Sequence, residues 1–228
     1  MIEFLFLDLD DTILDFHKAE RIAVADTFRM LGVEPTEETL KRYHEINKQH
    51  WERLERGELT REQVLVQRFA ALFRELGARA DPEACARIYE KRLGVGHYFL
   101  PGAEEALERL HGKYRLFLAS NGTASVQAGR LTSANLYRFF EKVFISEEVG
   151  FNKPSRAFFD ACAARIPGFS PEKAMMVGDS LTSDILGGIR AGMRTCWINP
   201  EHNPPRPDIR PDYTIPALSE LEKLLEAL

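Results

Sequence analysis

The chain has 228 residues, 44% hydrophobic and 29% charged, and its 30 basic against 35 acidic residues give a net charge of −5. That balance fits a globular protein able to bury a sizeable core and excludes a disordered or fibrous chain. With no basic tract and no RNA-type aromatic motif, nucleic-acid polymers are excluded as expected partners, and no stretch reaches the ~20 apolar residues of a membrane span.

The first stretch, Phe4-Leu5-Phe6-Leu7-Asp8-Leu9-Asp10-Asp11-Thr12, begins with an unbroken apolar run. Such a run predicts a strand buried on both faces, as in a parallel sheet. Asp8 interrupts it too early for a cleavable leader. Cys85, Cys162 and Cys196 are widely spaced and form no metal-ligand pattern, so they read as buried, inert thiols of a reducing compartment. A cytoplasmic protein is the expectation; its oligomeric state is not legible.

After Thr12 the pattern is helical. Asp15 is placed to cap a first helix that Gly32 stops, and Thr36 opens a second that ends near Gly57. Thr60 and Gln63 form a capping box for a third, before Gly77, and Asp81-Pro82 starts a fourth. Helices joined by short loops, with no strand between them, predict a small bundle over residues 15–100. Pro101-Gly102 then begins a helix, and short buried strands follow at 115–119, 142–145, 174–177 and 195–198. Helical patterns around 124–136, 155–165 and 182–191 separate them. Strand alternating with helix predicts an α/β fold with a doubly wound parallel sheet, built from residues 1–14 and 101–228 and interrupted by the bundle. The proline-rich run from Asn203 to Pro211 reads as a stiff surface loop and 217–227 as a terminal amphipathic helix.

In an open α/β sheet, ligands bind just beyond the carboxyl ends of the strands. The first strand delivers Asp8 and Asp10 there, and carboxylates this close repel one another and call for a hard cation such as Mg2+. The second strand ends in Ser120-Asn121-Gly122, a hydroxyl, an amide and a glycine suited to an oxyanion. Past the third, Pro154 holds Lys153 in extended backbone just ahead of a helix, where its ammonium suits a phosphate. The fourth ends in Gly178-Asp179 and runs on to Asp184. Each piece alone is also an ordinary turn, cap or surface charge. Their joint placement at predicted strand ends is what makes them a set.

On these residues the chain resembles the haloacid dehalogenase superfamily. Asp8-Leu9-Asp10-Asp11-Thr12 matches its first motif, Ser120 the second, Lys153 the third, and Gly178-Asp179 through Asp184 the fourth; the helical insertion resembles that superfamily's type-1 cap. Asp8 through Phe16, with Gly178 through Ile185, is further similar to the pyrimidine 5′-nucleotidase subgroup. The resemblance implies a Rossmann-like core with strand order 5-4-1-2-3 and Mg2+-dependent hydrolysis of a small phosphorylated metabolite. Asp8 would be the nucleophile, forming an aspartyl-phosphate, and Asp10 the acid and then the base. Asp8, the backbone carbonyl of Asp10, and Asp179 would hold Mg2+. Ser120, Asn121, Gly122 and Lys153 would bind phosphoryl oxygens, with Asp184 and Thr12 in support. Phe16 and His17, just after the catalytic loop, are the candidates for choosing the leaving group. A sugar phosphatase or phosphomutase would share these core residues; a dehalogenase would lack Asp10, and an idle binding module would not need it.

Overall fold

The opening apolar run forms β1 (Phe4–Leu7), buried along its whole length in the computed structural model, which describes residues 1–204 and 206–228. It lies within a parallel sheet with β2 (Arg115–Ser120), β3 (Lys142–Ile145), β4 (Ala174–Gly178), β5 (Arg194–Ile198) and β6 (Tyr213–Ile215), in the order β3-β2-β1-β4-β5-β6. The first five strands stand in the expected order. β6 is a finding of the structure: three residues at a sheet edge are too few to show a period of two in sequence.

Alternation along β1 builds two cores, one on each face. Leu5 and Leu7 pack with Leu116, Leu118, Met175 and Val177 on one side. Phe4 and Phe6 pack with Phe117, Phe144 and Phe159 on the other. Fully burying one such side chain contributes about 1.5–3 kcal/mol, so β1 is tied down from both faces.

The chain divides into two compact units, Met1–Phe16 with His97–Leu228, and His17–Gly96. The second is helical, carried by α1 (Phe16–Met30), α2 (Glu37–Glu55), α3 (Arg61–Leu76) and α4 (Pro82–Leu93). Thr36 accepts a hydrogen bond from the amide of Thr39, Thr60 and Gln63 close the capping box, and Asp81 accepts from the amide of Glu83. Gly77 ends α3 in the left-handed region, where a side chain would be strained. The amide of Phe16 is taken by the carboxylate of Asp11, at 2.9 Å, rather than by the expected Asp15. The unit's core is aromatic: Phe28, Tyr43, Phe69, Phe73 and Tyr89 lie in mutual edge and stacked contacts.

The sheet is flanked by α5 (Ala103–Leu110), α6 (Ala124–Ser133), α7 (Ser146–Val149), α8 (Arg156–Ala163), α9 (Leu186–Arg190) and α10 (Leu221–Glu226). The helix expected over 182–191 is present, opening as a wide π-type turn at Leu181–Ile185 that runs directly into α9. Of the expected 203–211 loop, Pro205 lies outside the described residues. The loop's other described residues lie at the surface as expected, except that Ile209 is buried against Ile185 and Trp197. All three cysteines are buried and unpaired, and burial pushes each thiol up to about 12. Among the described residues no helix is long and apolar enough to cross a membrane.

Candidate active site

Leu7 of β1 is in register with Leu118 of β2 and Val177 of β4, so the carboxyl ends of three neighbouring strands come level. That register places Asp8, Ser120 and Asp179 along one edge of the sheet. Lys153 enters from the segment between α7 and α8, its peptide bond to Pro154 cis.

Lys153 is buried, and its ammonium donates to Asp8 at 2.7 Å, to Asp184 at 2.6 Å and to the carbonyl of Ala119 at 2.6 Å. Three bonds use all three of its protons. Desolvation opposes its charge, but Asp184 and Asp8 outweigh it and hold the ammonium above its ordinary range. Burial is also the largest influence on Asp8; Lys153 opposes it, Asp184 and Asp10 add to it, and the carboxyl is pushed up to about 8. Asp179 is likewise raised well above the usual carboxylate range, by burial and then by Asp184, Asp8 and Asp11.

Carboxylate oxygens of Asp8, Asp179 and Asp184 lie within 4.8 Å of one another. One ammonium, bonded to Asp8 and Asp184, cannot offset all three of these groups once they are ionised, and burial resists that ionisation until a cation offsets it. A divalent cation with oxygen ligands fits both the charge and the hardness of that donor set. The cluster brings in Asp184, which the sequence placed only in support. It leaves out the side chain of Asp10.

Asp10 has other partners. Gln127 donates to one oxygen at 2.7 Å and the buried Arg130 donates to the other. Its backbone carbonyl is therefore the atom that remains for the metal role expected of it. Gln127 also donates to the Ser120 hydroxyl at 2.9 Å, and the amide of Gly122 donates to the same oxygen at 3.1 Å. With its oxygen accepting twice, Ser120 has its own O–H left to donate, which suits an anionic oxygen.

Asn121 departs from the expectation. Its side-chain amide donates to the carbonyl of Lys153 and its side-chain oxygen accepts from the amide of Lys153, both at 2.9 Å. That side chain clamps the lysine backbone and is not available to a phosphate. Gly122 is required by close approach: a Cβ there would stand 2.3 Å from the Gln127 amide nitrogen. Gly178 is required in the same way, because a Cβ would stand 2.2 Å from an Asp184 oxygen. The hydroxyl of Thr12 is buried with no hydrogen-bond partner among the described residues. Phe16 lies under the Arg130 guanidinium, 5.7 Å from its ring centroid. His17 stands instead with His44, their ring centroids 4.5 Å apart.

Gln127 and Arg130 escaped the sequence reading. Spaced three apart on a helix, they look like an ordinary polar face. The signal available was their position in the first two turns after Ser120-Asn121-Gly122.

A family model described as haloacid dehalogenase-like hydrolase matches residues 2–192. The HAD-hydrolase YfnB of Bacillus subtilis (strain 168) is 39% identical over 221 residues, covering 97% of this chain and 94% of that protein. A crystal structure of YfnB bound to magnesium, which reveals interdomain movement, matches with a TM-score of 0.94 over 98% of each chain. The pyrimidine 5′-nucleotidase PynA of Streptococcus pneumoniae is 36% identical over 98% of this chain and 95% of its own. The pyrimidine 5′-nucleotidase YjjG of Escherichia coli is 31% identical over 98% and 97%.

Proposed function

The chain belongs to the haloacid dehalogenase-like hydrolase family, and from that premise we propose that it is a Mg2+-dependent phosphatase that acts on small nucleoside monophosphates, pyrimidine ones first. The observation that carries the reading is the separation of the two acids of the first motif. Asp8 faces Lys153 and the acidic cluster, whereas Asp10, two residues on, is held by Gln127 and Arg130. Two carboxylates in two environments suit two roles.

In this reading Asp8 attacks phosphorus and the bond to the leaving oxygen breaks, with Asp10 giving that oxygen its proton. A water then attacks the aspartyl-phosphate, Asp10 takes the water's proton, and phosphate leaves. Ser120 donates to a phosphoryl oxygen, and the Lys153 ammonium, bonded to Asp8, offsets negative charge beside the nucleophile as it rises. Asp8, Asp179, Asp184 and the carbonyl of Asp10 are the groups to hold Mg2+, which when bound offsets the charge between nucleophile and phosphate. Asp10 has no use in cleaving a carbon–halogen bond, because a halide leaves without a proton; its anchoring by two residues favours an oxygen leaving group. The nucleotide preference follows PynA and YjjG, whose names state that activity.

A phosphate-release screen over nucleoside monophosphates and sugar phosphates, with Mg2+ and with EDTA, tests both levels. EDTA is expected to abolish turnover and Mg2+ to restore it, with pyrimidine nucleotides leading on kcat/KM. Full turnover without metal would sink the phosphatase mechanism; a tenfold preference for sugar phosphates would sink only the nucleotidase reading.

A further inference from the structure

The helical unit holds a second cluster of metal-ligating side chains. His17 and Glu20 are three residues apart on α1, hence on one face, and His44 of α2 meets them there. Ligand atoms of all three lie within 4.8 Å of one another. Glu20 is only 3% exposed, a rare place for a carboxylate. Its oxygens are held by His44 Nδ1 at 2.6 Å and by the amide nitrogen of Asn47 at 2.6 Å. Asn47 accepts in turn from Arg68 at 2.8 Å, and the buried Arg68 is fixed over the rings of Phe69 and Tyr89. A cavity of about 210 Å³ opens beside the three, with Arg21, Lys41 and Tyr43 in its walls.

A plain hydrogen-bonded pair accounts for Glu20 and His44. It does not account for a second imidazole brought to the same carboxylate, nor for a two-residue relay that fixes the carboxylate's orientation from behind. Two imidazoles, a carboxylate and an outer layer that orients it are the parts of a three-residue metal site.

We propose that His17, Glu20 and His44 bind a late first-row divalent cation of the Zn2+ type, with the fourth position facing the cavity. Two nitrogens and one oxygen select that class over Mg2+, which favours oxygen alone. Ligands about 2.0–2.1 Å from a tetrahedral ion stand roughly 3.3 Å apart. The 2.6 Å contact between His44 and Glu20 therefore opens modestly as the cation replaces the shared proton, which leaves to solvent. Occupancy pins α1 to α2 and raises the stability of the folded chain by mass action. None of this rests on the proposed reaction.

The test uses the full chain, stripped with EDTA, returned to excess Mg2+ and titrated with ZnCl2. One Zn2+ is expected to bind with Mg2+ present, followed by calorimetry and by an increase in Tm. Histidine-ring NMR signals of His17 and His44 should move, while those of His50, His97, His111 and His202 stay. His17→Ala, at an exposed position, should lose the site, and Asn47→Ala should weaken it about 10–100-fold. Asp8→Asn should leave it intact, which separates this site from the core acids. Absence of Zn2+ binding in excess Mg2+ would overturn the proposal. So would binding that survives in His17→Ala and His44→Ala but vanishes in Asp8→Asn.

Discussion

Arg130 donates to Asp10 while Gln127 holds the other oxygen, so both must yield, at least in part, when Asp10 hands a proton to a leaving group. That makes Arg130 a positioning residue for the proposed reaction: it acts through Asp10. Asp10→Asn is expected to lose roughly 10²–10⁴-fold on a nucleotide or other alkyl phosphate. The loss should be much smaller on p-nitrophenyl phosphate, whose leaving group needs little protonation. Arg130→Gln should follow the same leaving-group pattern with a smaller loss. Adding Arg130→Gln to Asp10→Asn should then cost little more, because residues that act as one unit are not additive. A merely structural Arg130 would instead slow both substrates alike and add its full effect in the double variant. Steady-state kinetics on the two substrates with the three variants decides between these outcomes.

At the scale of elements, the sheet's register does most of the positioning, and the sequence displayed it. An unbroken apolar run ending in Asp8, and similar runs ending at Ser120 and Val177, foretold which residues share the sheet edge, because parallel strands carry their functional residues at one end. Capping residues foretold the helical unit nearly turn by turn, since Thr36, Thr60 and Asp81 signal through local chemistry. What stayed hidden was what depends on contacts distant in sequence. Asn121 looked like a phosphate ligand because nothing local shows that Lys153 lies against its side chain. Asp184 reaches the cluster through the wide turn at Leu181–Ile185, and π-type turns have no strong sequence signature although they recur at functional sites. That geometry makes Gly178 a sensitive point. A methyl there would stand 2.2 Å from an Asp184 oxygen and push the carboxylate off Lys153. Gly178→Ala should cost about 1–3 kcal/mol by overpacking and lower kcat by more than tenfold. Thermal melting alongside turnover checks it: a wild-type kcat in a folded Gly178→Ala would mean that Asp184 need not stay where it is.

For the whole molecule, the acidic cluster makes stability depend jointly on pH and on the metal. Burial holds Asp8 above its ordinary value of 3.8, at about 8, and Asp179 above it as well. The folded, metal-free protein therefore binds these protons more tightly than the unfolded chain does. A group raised in this way contributes stability that is complete below its unfolded value and lost as pH rises through its folded value. The metal-free Tm should accordingly fall between about pH 4 and pH 8. Glu37, Glu58 and Glu75 are shifted the opposite way by their arginine partners, but they are exposed pairs whose effect solvent and salt screen. A divalent cation competes with protons for the carboxylates, so the increase in Tm on adding Mg2+ should be small near pH 5 and grow toward pH 8. Removing one member of the cluster should weaken both trends, so Asp8→Asn should flatten the metal-free curve and reduce the Mg2+ response while leaving the fold in place. Melting curves at several pH values, with EDTA or with Mg2+, measure all of this together. A Mg2+ response equal at pH 5 and pH 8, or larger at pH 5, would show that the cation does not bind at Asp8 and Asp179.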